Sequence, residues 1–561
     1  PPYSGHSSNK GEWIRRQIEA YKVVDGQPLG EKNPKWLQDD YVKFLRFSQW
    51  KIEQAGRGVV GMITNHSYLD NPTFRGMRQS LMDTFDHIFV LDLHGNSLKR
   101  ETSPDGSPDE NVFDIRQGVA IVFLVKTGEK DKPPAEVHQA DLWGTRKEKY
   151  EWLEGNDFSS TPWEQITPRS NFYLFVPRDE AEQERYNTFT SVTDIFQKYS
   201  VGIVTARDRL TIHWTSEEAW NTVLNFSRLE SELAREAYKL GKDARDWKVA
   251  LAQEDLKRSG LDRDLVVPIL YRPFDVRYTY YTGRSRGFIC MPRPEIMRQM
   301  FKKENLALMT CRQLSQTEWS HAMVSDQITD DCMVSNMTRE RGYLLPLYIH
   351  PDLTKKDLFS DLQPNNPQPN LDRILFEKLG QAFATEPSPE EIIYYIYAVL
   401  YAPYYREKYV DFLRGDFPRI PFPSDRDLFQ ELARSGARLA DLHLLRSPEL
   451  DAPQARFHGQ GDNRVGKNVG EGFYFDPPTE RLHINPQQYF APLPLETWEY
   501  QIGGYQVCAK WLKDRRGRTL SLDEVRAYCR IVTALNLTIT IQEEIDGLYS
   551  SVEKEILEKL L

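Results

Sequence analysis

The 561-residue sequence has little cysteine: five residues, Cys290, Cys311, Cys332, Cys508 and Cys529, lie far apart with no C-x-x-C pair. An odd, scattered set gives no basis for a zinc ribbon or a redox dithiol, so these read as reduced thiols in packed cores. No stretch approaches eighteen uninterrupted apolar residues, and the N-terminus lacks a basic-then-apolar targeting pattern. A soluble cytoplasmic protein with no membrane association is therefore the default expectation. Net positive charge is lacking too: the formal charge of −10 argues against indiscriminate polyanion binding. It leaves room for one arginine-lined groove, which local distribution has to decide. The histidines, His66, His87 and His94 among them, show no H-x-x-x-H spacing and no His/Cys cluster, so no metal site is expected. There is also no initiator methionine and no glycine-rich cofactor turn.

What is present is material for large cores. Hydrophobic residues make up 40% and aromatics 12%, with 28 Tyr, 27 Phe and 12 Trp. At 65.5 kDa the chain exceeds the size at which one core keeps growing, so two or three domains are expected. Ile14, Ile18 and Tyr21 have helical spacing within 12–24. From Trp36 to Gln54, Leu37, Tyr41, Phe44, Leu45 and Ile52 mark an inner face, with Lys43, Arg46 and Lys51 elsewhere and Gly56 as the stop. Val59–Thr64 is a nearly continuous apolar run, the composition of a strand buried on both faces of a parallel sheet. A helix lined by Phe74, Met77, Leu81 and Phe85 follows, then a strand at 88–93, a Gly/Ser/Pro/Asp-rich loop at 95–110 and a last strand at 115–125. Such alternation builds a doubly wound α/β sheet that binds ligands beyond the carboxyl ends of its strands.

The chain opens on Pro1-Pro2-Tyr3, followed in order by GVVGMITNHSYL at 58–69, FRGMR at 74–78, FDHIFVLDL at 85–93 and FDIRQGVAIVFLV at 113–125. This succession resembles the second half of the catalytic domain of adenine-N6 DNA methyltransferases, whose signature is Asn-Pro-Pro-Tyr. The resemblance implies a Rossmann-like half-domain over 1–130, with the Asn, the main S-adenosylmethionine motif and the rest of the domain in an N-terminal portion of the same polypeptide. The fragment alone is then expected to be inactive.

An exocyclic adenine amine is a poor nucleophile because its lone pair is delocalised into the ring, and the enzyme must reach it outside the base stack. Acceptors aimed at the amine hydrogens favour a pyramidal nitrogen poised for in-line attack on the sulfonium methyl. By resemblance these acceptors are the Asn side chain and the Pro1 carbonyl, held stiff by Pro1 and Pro2. Tyr3 then stacks on the flipped base, and Phe113 takes its other face. For Phe113 an ordinary edge-covering aromatic is an equal alternative.

Beyond a charged boundary at 126–134 the alternation stops. Strand-like pieces at 170–176 and 201–204 mix with helical stretches such as 215–241 and a Tyr-rich helix at 387–406 whose Tyr394, Tyr395, Tyr397 and Tyr401 read as core. A Gly/Asn/Pro-rich stretch over 451–497 reads as a long loop with short strands. Two closing helices, about 521–535 and 541–561, carry a stripe of Ile545, Leu548, Val552, Ile556 and Leu560. The informative stretch is YRPFDVRYTYYTGRSRGF at 271–288. From Tyr271 to Lys303 there are eight Lys/Arg against two Asp/Glu, a local balance of +6 in an acidic chain. Basic residues interleaved with tyrosine suit a double-stranded DNA face, and Arg272, Arg277, Tyr280, Arg284 and Arg286 are its candidate contacts. Arg277 could equally be a structural partner of Asp275 or Glu295. Gly283 and Gly287, flanking Arg284 and Arg286, mark a loop able to approach DNA closely.

The Tyr-Arg-Pro-Phe-Asp-x-Arg run, the Arg-Gly-Phe at 286–288, the LPLY at 345–348 and the FPRIPFP at 417–423 are similar to the target-recognition region of type ISP restriction-modification enzymes. Those are single polypeptides joining nuclease, translocase, adenine methyltransferase and recognition domains. The resemblance implies a methyltransferase half-domain at 1–130, an α+β target-recognition domain at 131–500 and a helical segment at 501–561 packing on it. It implies sequence-specific adenine-N6 methylation. A non-catalytic DNA-recognition subunit and a methyltransferase acting on RNA or protein are the competing readings.

Overall fold

A computed structural model describes residues 9–30, 34–97, 101–128, 135–170, 172–177, 180–314, 318–337, 340–351, 366–467, 472–558 and 560–561. Pro1, Pro2 and Tyr3 lie outside the described residues. The chain forms two compact units, Pro1–Gln183 and Glu184–Leu561.

In the first unit, helices α1 (Glu12–Glu19) and α2 (Asp40–Ala55) precede strand β1 (Gly58–Asn65), α3 (Arg75–Thr84), β2 (His87–Asp92) and β3 (Val119–Lys126). These elements answer to the helix and strand spacings in the sequence, and α2 ends at Gly56, as expected. The chain then adds β4 (Glu136–Asp141), α4 (Arg146–Gly155) and β5 (Glu164–Ile166) to the same sheet, in the order β1–β3–β2–β4–β5. The boundary expected at 130 therefore moves to 183, because β4 pairs with β2 along its whole length. The sheet is mixed: β3 runs antiparallel to both β1 and β2, and only β2 and β4 are parallel. Among the described residues β1 pairs with β3 alone, and Val59 is 63% exposed, so the apolar run does not mark a strand buried on both faces.

The face of α2 also departs from its apolar spacing. Phe44 is exposed, whereas Lys43 and Arg46 are buried. Arg46 donates to Glu53 at 2.8 Å and to the Gln17 side chain at 2.7 Å, so its charge is met inside the fold. Residues 172–176 form no strand.

The second unit contains α5 (Ser216–Arg228), α6 (Val249–Arg258), the hairpin β6 (Val266–Arg272) and β7 (Asp275–Tyr280), and strands β8 (Ala307–Cys311), β9 (Ala322–Ser325) and β10 (Gly342–Pro346). Helices α7 (Pro389–Tyr401) and α8 (Arg426–His443) follow, then strands β11 (Arg456–His458), β12 (Tyr474–Asp476), β13 (Arg481–Asn485) and β14 (Gln488–Ala491). Helices α9 (Val507–Asp514) and α10 (Leu522–Val552) close the chain. Helix α7 opens with a Ser388–Glu391 capping box, and Tyr395, Tyr397 and Tyr401 are fully buried, the core role expected of them. The short strands expected over 451–497 are present and pair into a four-stranded antiparallel sheet, β11–β14–β13–β12. The two expected closing helices are one helix of 31 residues. Trp511, Tyr528, Ile545 and Leu560 share one core with Tyr395 and Leu439, so 501–561 is integral to the unit.

His443 sits in this core between the Tyr397 hydroxyl, which donates to Nδ1 at 2.5 Å, and Thr538 Oγ1, 2.9 Å from Nε2. Burial, reinforced by the Arg406 charge, lowers its pKa to about 3. The unfolded chain takes up this proton below about pH 6.5, which the folded protein refuses until about pH 3, so stability falls with pH across that window. We expect this residue to contribute a loss of about 2 kcal/mol between pH 7.5 and 5. Denaturant unfolding at both values should show a correspondingly smaller loss for His443→Asn.

Candidate functional site

In the first unit, β1 and β2 end side by side at the start of β3, since Asn65 pairs with Val119 and Asp92 with Ala120. The 93–118 segment leaves and re-enters the sheet at this edge, where Asp141 of β4 also arrives opposite Asp92. Here the fold brings together histidines that are far apart in sequence. His66 Nδ1 lies 3.0 Å from Asp92, His94 Nε2 lies 2.7 Å from Asp141, and Asn96 Nδ2 lies 3.0 Å from His66 Nε2. Burial works to raise the Asp92 carboxyl, but the His66 and His94 rings and the His94 amide hold it well below the usual carboxylate range. A Cβ on Gly118 would lie 2.4 Å from His66 Nε2, so only glycine admits the ring.

The expectation that no histidine cluster exists is corrected here: His66, His94 and Glu101, and Asp92, His94 and Asp141, each bring possible metal-ligand atoms within 4.8 Å of one another. Asp330, Asp331 and Cys332 do so in the second unit. Sequence spacing missed the first two groups because their members come from the ends of different strands.

The same segment carries Phe113, which packs partly buried beside Leu93, Val112 and Val119. Its backbone is fixed from α4. Arg146 donates to the Asn111 carbonyl at 2.7 Å and to the Phe113 carbonyl at 3.0 Å, while the Phe113 amide donates to Asn111 Oδ1 at 2.9 Å. Lys149, wholly buried, pairs with the buried carboxylate of Asp109 at 2.6 Å and donates to the Leu93 and Glu110 carbonyls at 2.8 and 2.7 Å. None of these partners was singled out from sequence. The Thr145-x-x-Glu148 capping box that starts α4 was the legible signal.

In the second unit the candidate DNA contacts separate into two groups. Arg272 is 8% exposed and pairs with Asp330 at 2.7 Å, its guanidinium 3.8 Å from the Tyr271 ring centre. Arg277 pairs with Asp275 at 2.7 Å and Asp514 at 3.2 Å and covers the Trp214 ring at 3.9 Å. Asp275 also accepts from Arg515 at 2.9 Å; burial works to raise its carboxyl, and the Arg515 and Arg277 charges hold it below the ordinary value. Tyr280 is fully buried, its hydroxyl 2.7 Å from Ser259 Oγ. Arg272 and Tyr280 are buried and Arg277 is half-buried against Trp214, each with partners in the same unit, which favours support of the hairpin over DNA contact for these three.

Arg284, Ser285 and Arg286 are exposed. Their loop is held from below by the buried Asp255, whose Oδ2 accepts from Thr282 Oγ1 and from the Phe288 amide, both at 2.8 Å. A Cβ on Gly287 would lie 2.1 Å from that oxygen, so glycine lets the loop close over the carboxylate. Phe288 is buried at the loop's end, and Arg286 reaches Asp246 only at 3.9 Å with its side chain 67% exposed. A cleft of about 410 Å³ opens beside the loop, lined by Asp255, Arg258, Ser259, Thr282 and Arg284. The LPLY and FPRIPFP motifs serve the core, with Leu345, Leu347, Ile420 and Phe422 buried.

Among the described residues no helix is long and apolar enough to cross a membrane. No curated protein matches the chain. Its fold is similar to that in a cryoEM structure of a DrdV–DNA complex, at TM-score 0.69 and 22% identity over 98% of this chain and 56% of that one. It is similar to the ATP-dependent type ISP restriction-modification enzyme LlaBIII bound to DNA, at TM-score 0.70 and 20% identity over 97% of this chain and 36% of that one. A nuclease-deletion mutant of the type ISP enzyme LlaGI in complex with a DNA substrate mimic matches at TM-score 0.66 and 20% identity, over 97% of this chain and 52% of that one. The chain thus spans little more than half, or less, of these proteins, and identities this low speak for fold alone. Residues 194–544, more than half of the chain, match the model of the type ISP C-terminal specificity domain, and the chain belongs to that family.

Proposed function

We propose that the second unit recognises a sequence in double-stranded DNA, and that the first unit is the second half of an adenine-N6 methyltransferase domain in a restriction-modification polypeptide. The observation that carries recognition is the exposed Arg284-Ser285-Arg286 loop, fixed by the buried Asp255 within the family-matched region. A rigid loop bearing two solvated guanidiniums can fork onto phosphate or guanine without first being ordered.

For methyl transfer, support comes from the 93–118 segment at the strand ends, with Phe113 held by Arg146 and Asn111. In this reading Phe113 stacks on a flipped adenine, and Pro1, Pro2 and Tyr3 hold its amine and its other face. S-adenosylmethionine would supply the methyl group. In this reading the residues named here hold the base.

In the complete polypeptide, Phe113→Ala is expected to slow methylation of duplex DNA about 10- to 100-fold, the worth of one base stack. Duplex affinity should change by less than about twofold, because phosphate contacts dominate it. Equal loss of methylation and binding, measured by methyl incorporation and fluorescence anisotropy, would contradict the assignment.

A further inference from the structure

The β11–β14–β13–β12 sheet has two unlike faces. One is packed into the core: Phe457 lies 4.7 Å from Phe490, Phe490 lies 4.5 Å from Tyr528, Phe475 lies 5.2 Å from Trp498, and Leu482 and Ile484 are buried. The other carries a row of four rings across all four strands. His458 pairs in register with Tyr489, Tyr489 with His483, and His483 with Tyr474. Successive ring centres are 5.2, 5.2 and 4.6 Å apart, with interplanar angles of 20°, 41° and 5°.

This geometry decides what the face can bind. Rings stacked on one another across strands cover one another's flat sides; Tyr474 and His458 are exposed, Tyr489 and His483 half-buried, and His483 Nδ1 is buried. Only the two end rings, His458 and Tyr474, keep an open flat side, so the row is a poor platform for a run of unpaired bases. Its exposed polar edges are those of Tyr474 and His458, at the two ends of the row. Arg481 lies over Tyr489 at 4.6 Å and is exposed, as is Arg456, two residues from His458 on the same face.

The surroundings add charge of the same sign. Arg516 lies 5.1 Å over Phe473, which packs against the core just before Tyr474. The 464–467 turn is bonded to the 515–518 turn, the Val465 amide donating to the Arg518 carbonyl at 2.9 Å and the Gly517 amide to the Val465 carbonyl at 2.7 Å. Arg464, Lys467, Lys513 and Arg516 are exposed there. Arg456 and Arg481 are the exposed arginines of the ringed face, with Asp476 in register with Arg481, and the four turn cations border the sheet.

We propose that this face of the sheet is a second DNA-contacting surface, one that takes the phosphodiester backbone of the duplex and reads no bases. The inference rests on the recognition reading above for its ligand, and the sheet supplies two exposed arginines beside the exposed edges of His458 and Tyr474. Phosphate is the acceptor that suits phenol, imidazole and guanidinium donors. A surface of this kind fixes the protein's position on the duplex while the Arg284–Arg286 loop meets it elsewhere.

The test uses the full chain and a labelled mixed-sequence duplex, with affinity measured by anisotropy over a potassium chloride series. Arg456→Gln/Arg481→Gln changes two exposed side chains, and a thermal melt matching the parent's checks that the fold is kept. Affinity is expected to fall about tenfold, and the slope of log affinity against log salt to shrink by about 2, one for each lost phosphate contact. Unchanged affinity and slope, with the parent still binding, would overturn the surface and leave recognition standing. A loss of affinity with no change in slope would overturn the phosphate assignment. Failure of the parent chain to bind the duplex would overturn both readings.

Discussion

Replacing Lys149 with alanine is expected to destabilise the first unit by about 3–5 kcal/mol, the cost of leaving a buried charge without its partner. The Lys149 and Asp109 side chains are both wholly inaccessible, 2.6 Å apart. The ammonium also satisfies the Leu93 and Glu110 carbonyls, one at each end of the 93–110 stretch. Without it, Asp109 keeps only the amides of Gly95 and Gly144, at 2.6 and 3.1 Å, to balance its charge. Denaturant unfolding should show the loss directly. An Asp109→Leu/Lys149→Met variant should regain part of it, because removing both charges removes the unpaired one, while the Gly95 and Gly144 amides lose their acceptor. In the complete polypeptide, Lys149→Ala should also slow methylation beyond what unfolding explains, since the same stretch sets the backbone of Phe113.

The elements of the first unit were largely legible because apolar spacing reports them: Ile14 and Ile18, Met77 and Leu81, and the run at 59–64 all lie in the helices or strands their spacing implies. Faces were less legible. Lys43 and Arg46 read as outward by charge, but Arg46 finds Glu53 and Gln17 inside, while Phe44 is left in solvent. A hydrophobic period registers neither Glu53, seven residues on in the same helix, nor Gln17, which arrives from α1. Pairing direction was illegible for a similar reason: nothing local in 119–126 states that it enters between β1 and β2 in the opposite sense. The boundary at 130 rested on a charged, Pro-ending stretch, and such a stretch looks the same between domains and between strands of one sheet.

The candidate site divides in the same way. Arg284 and Arg286 were legible because flanking glycines announce a tight, exposed loop, and Gly287 proves to be required by Asp255. Arg272, Arg277 and Tyr280 sat in the same basic, Tyr-rich run, but the fold meets them with Asp330, Asp275, Asp514 and Ser259, partners that arrive on both faces of the hairpin. Of these only Asp275 was near enough in sequence to be considered as a partner. The type ISP resemblance, carried by motifs over the same region, is borne out by the family match over 194–544. The ring row of His458, Tyr489, His483 and Tyr474 could not be read at all, because four short strands separated by Gly, Asn and Pro give no alternation long enough to count.

The second large effect bears on recognition itself. Arg284→Ala/Arg286→Ala removes two exposed guanidiniums and should leave stability within about 0.5 kcal/mol. Arg277→Ala, which strips one of two arginines from the buried Asp275, should lower stability instead. The most direct measurement is the affinity of the chain for duplex DNA as a function of salt, compared between the parent and Arg284→Ala/Arg286→Ala. The account predicts a loss of about tenfold or more, with the salt slope shallower by about 1 for each arginine that meets a phosphate, or relaxed preference at one base pair for about 1–3 kcal/mol where one meets a base. Unchanged affinity, slope and sequence preference in a correctly folded double variant would contradict it.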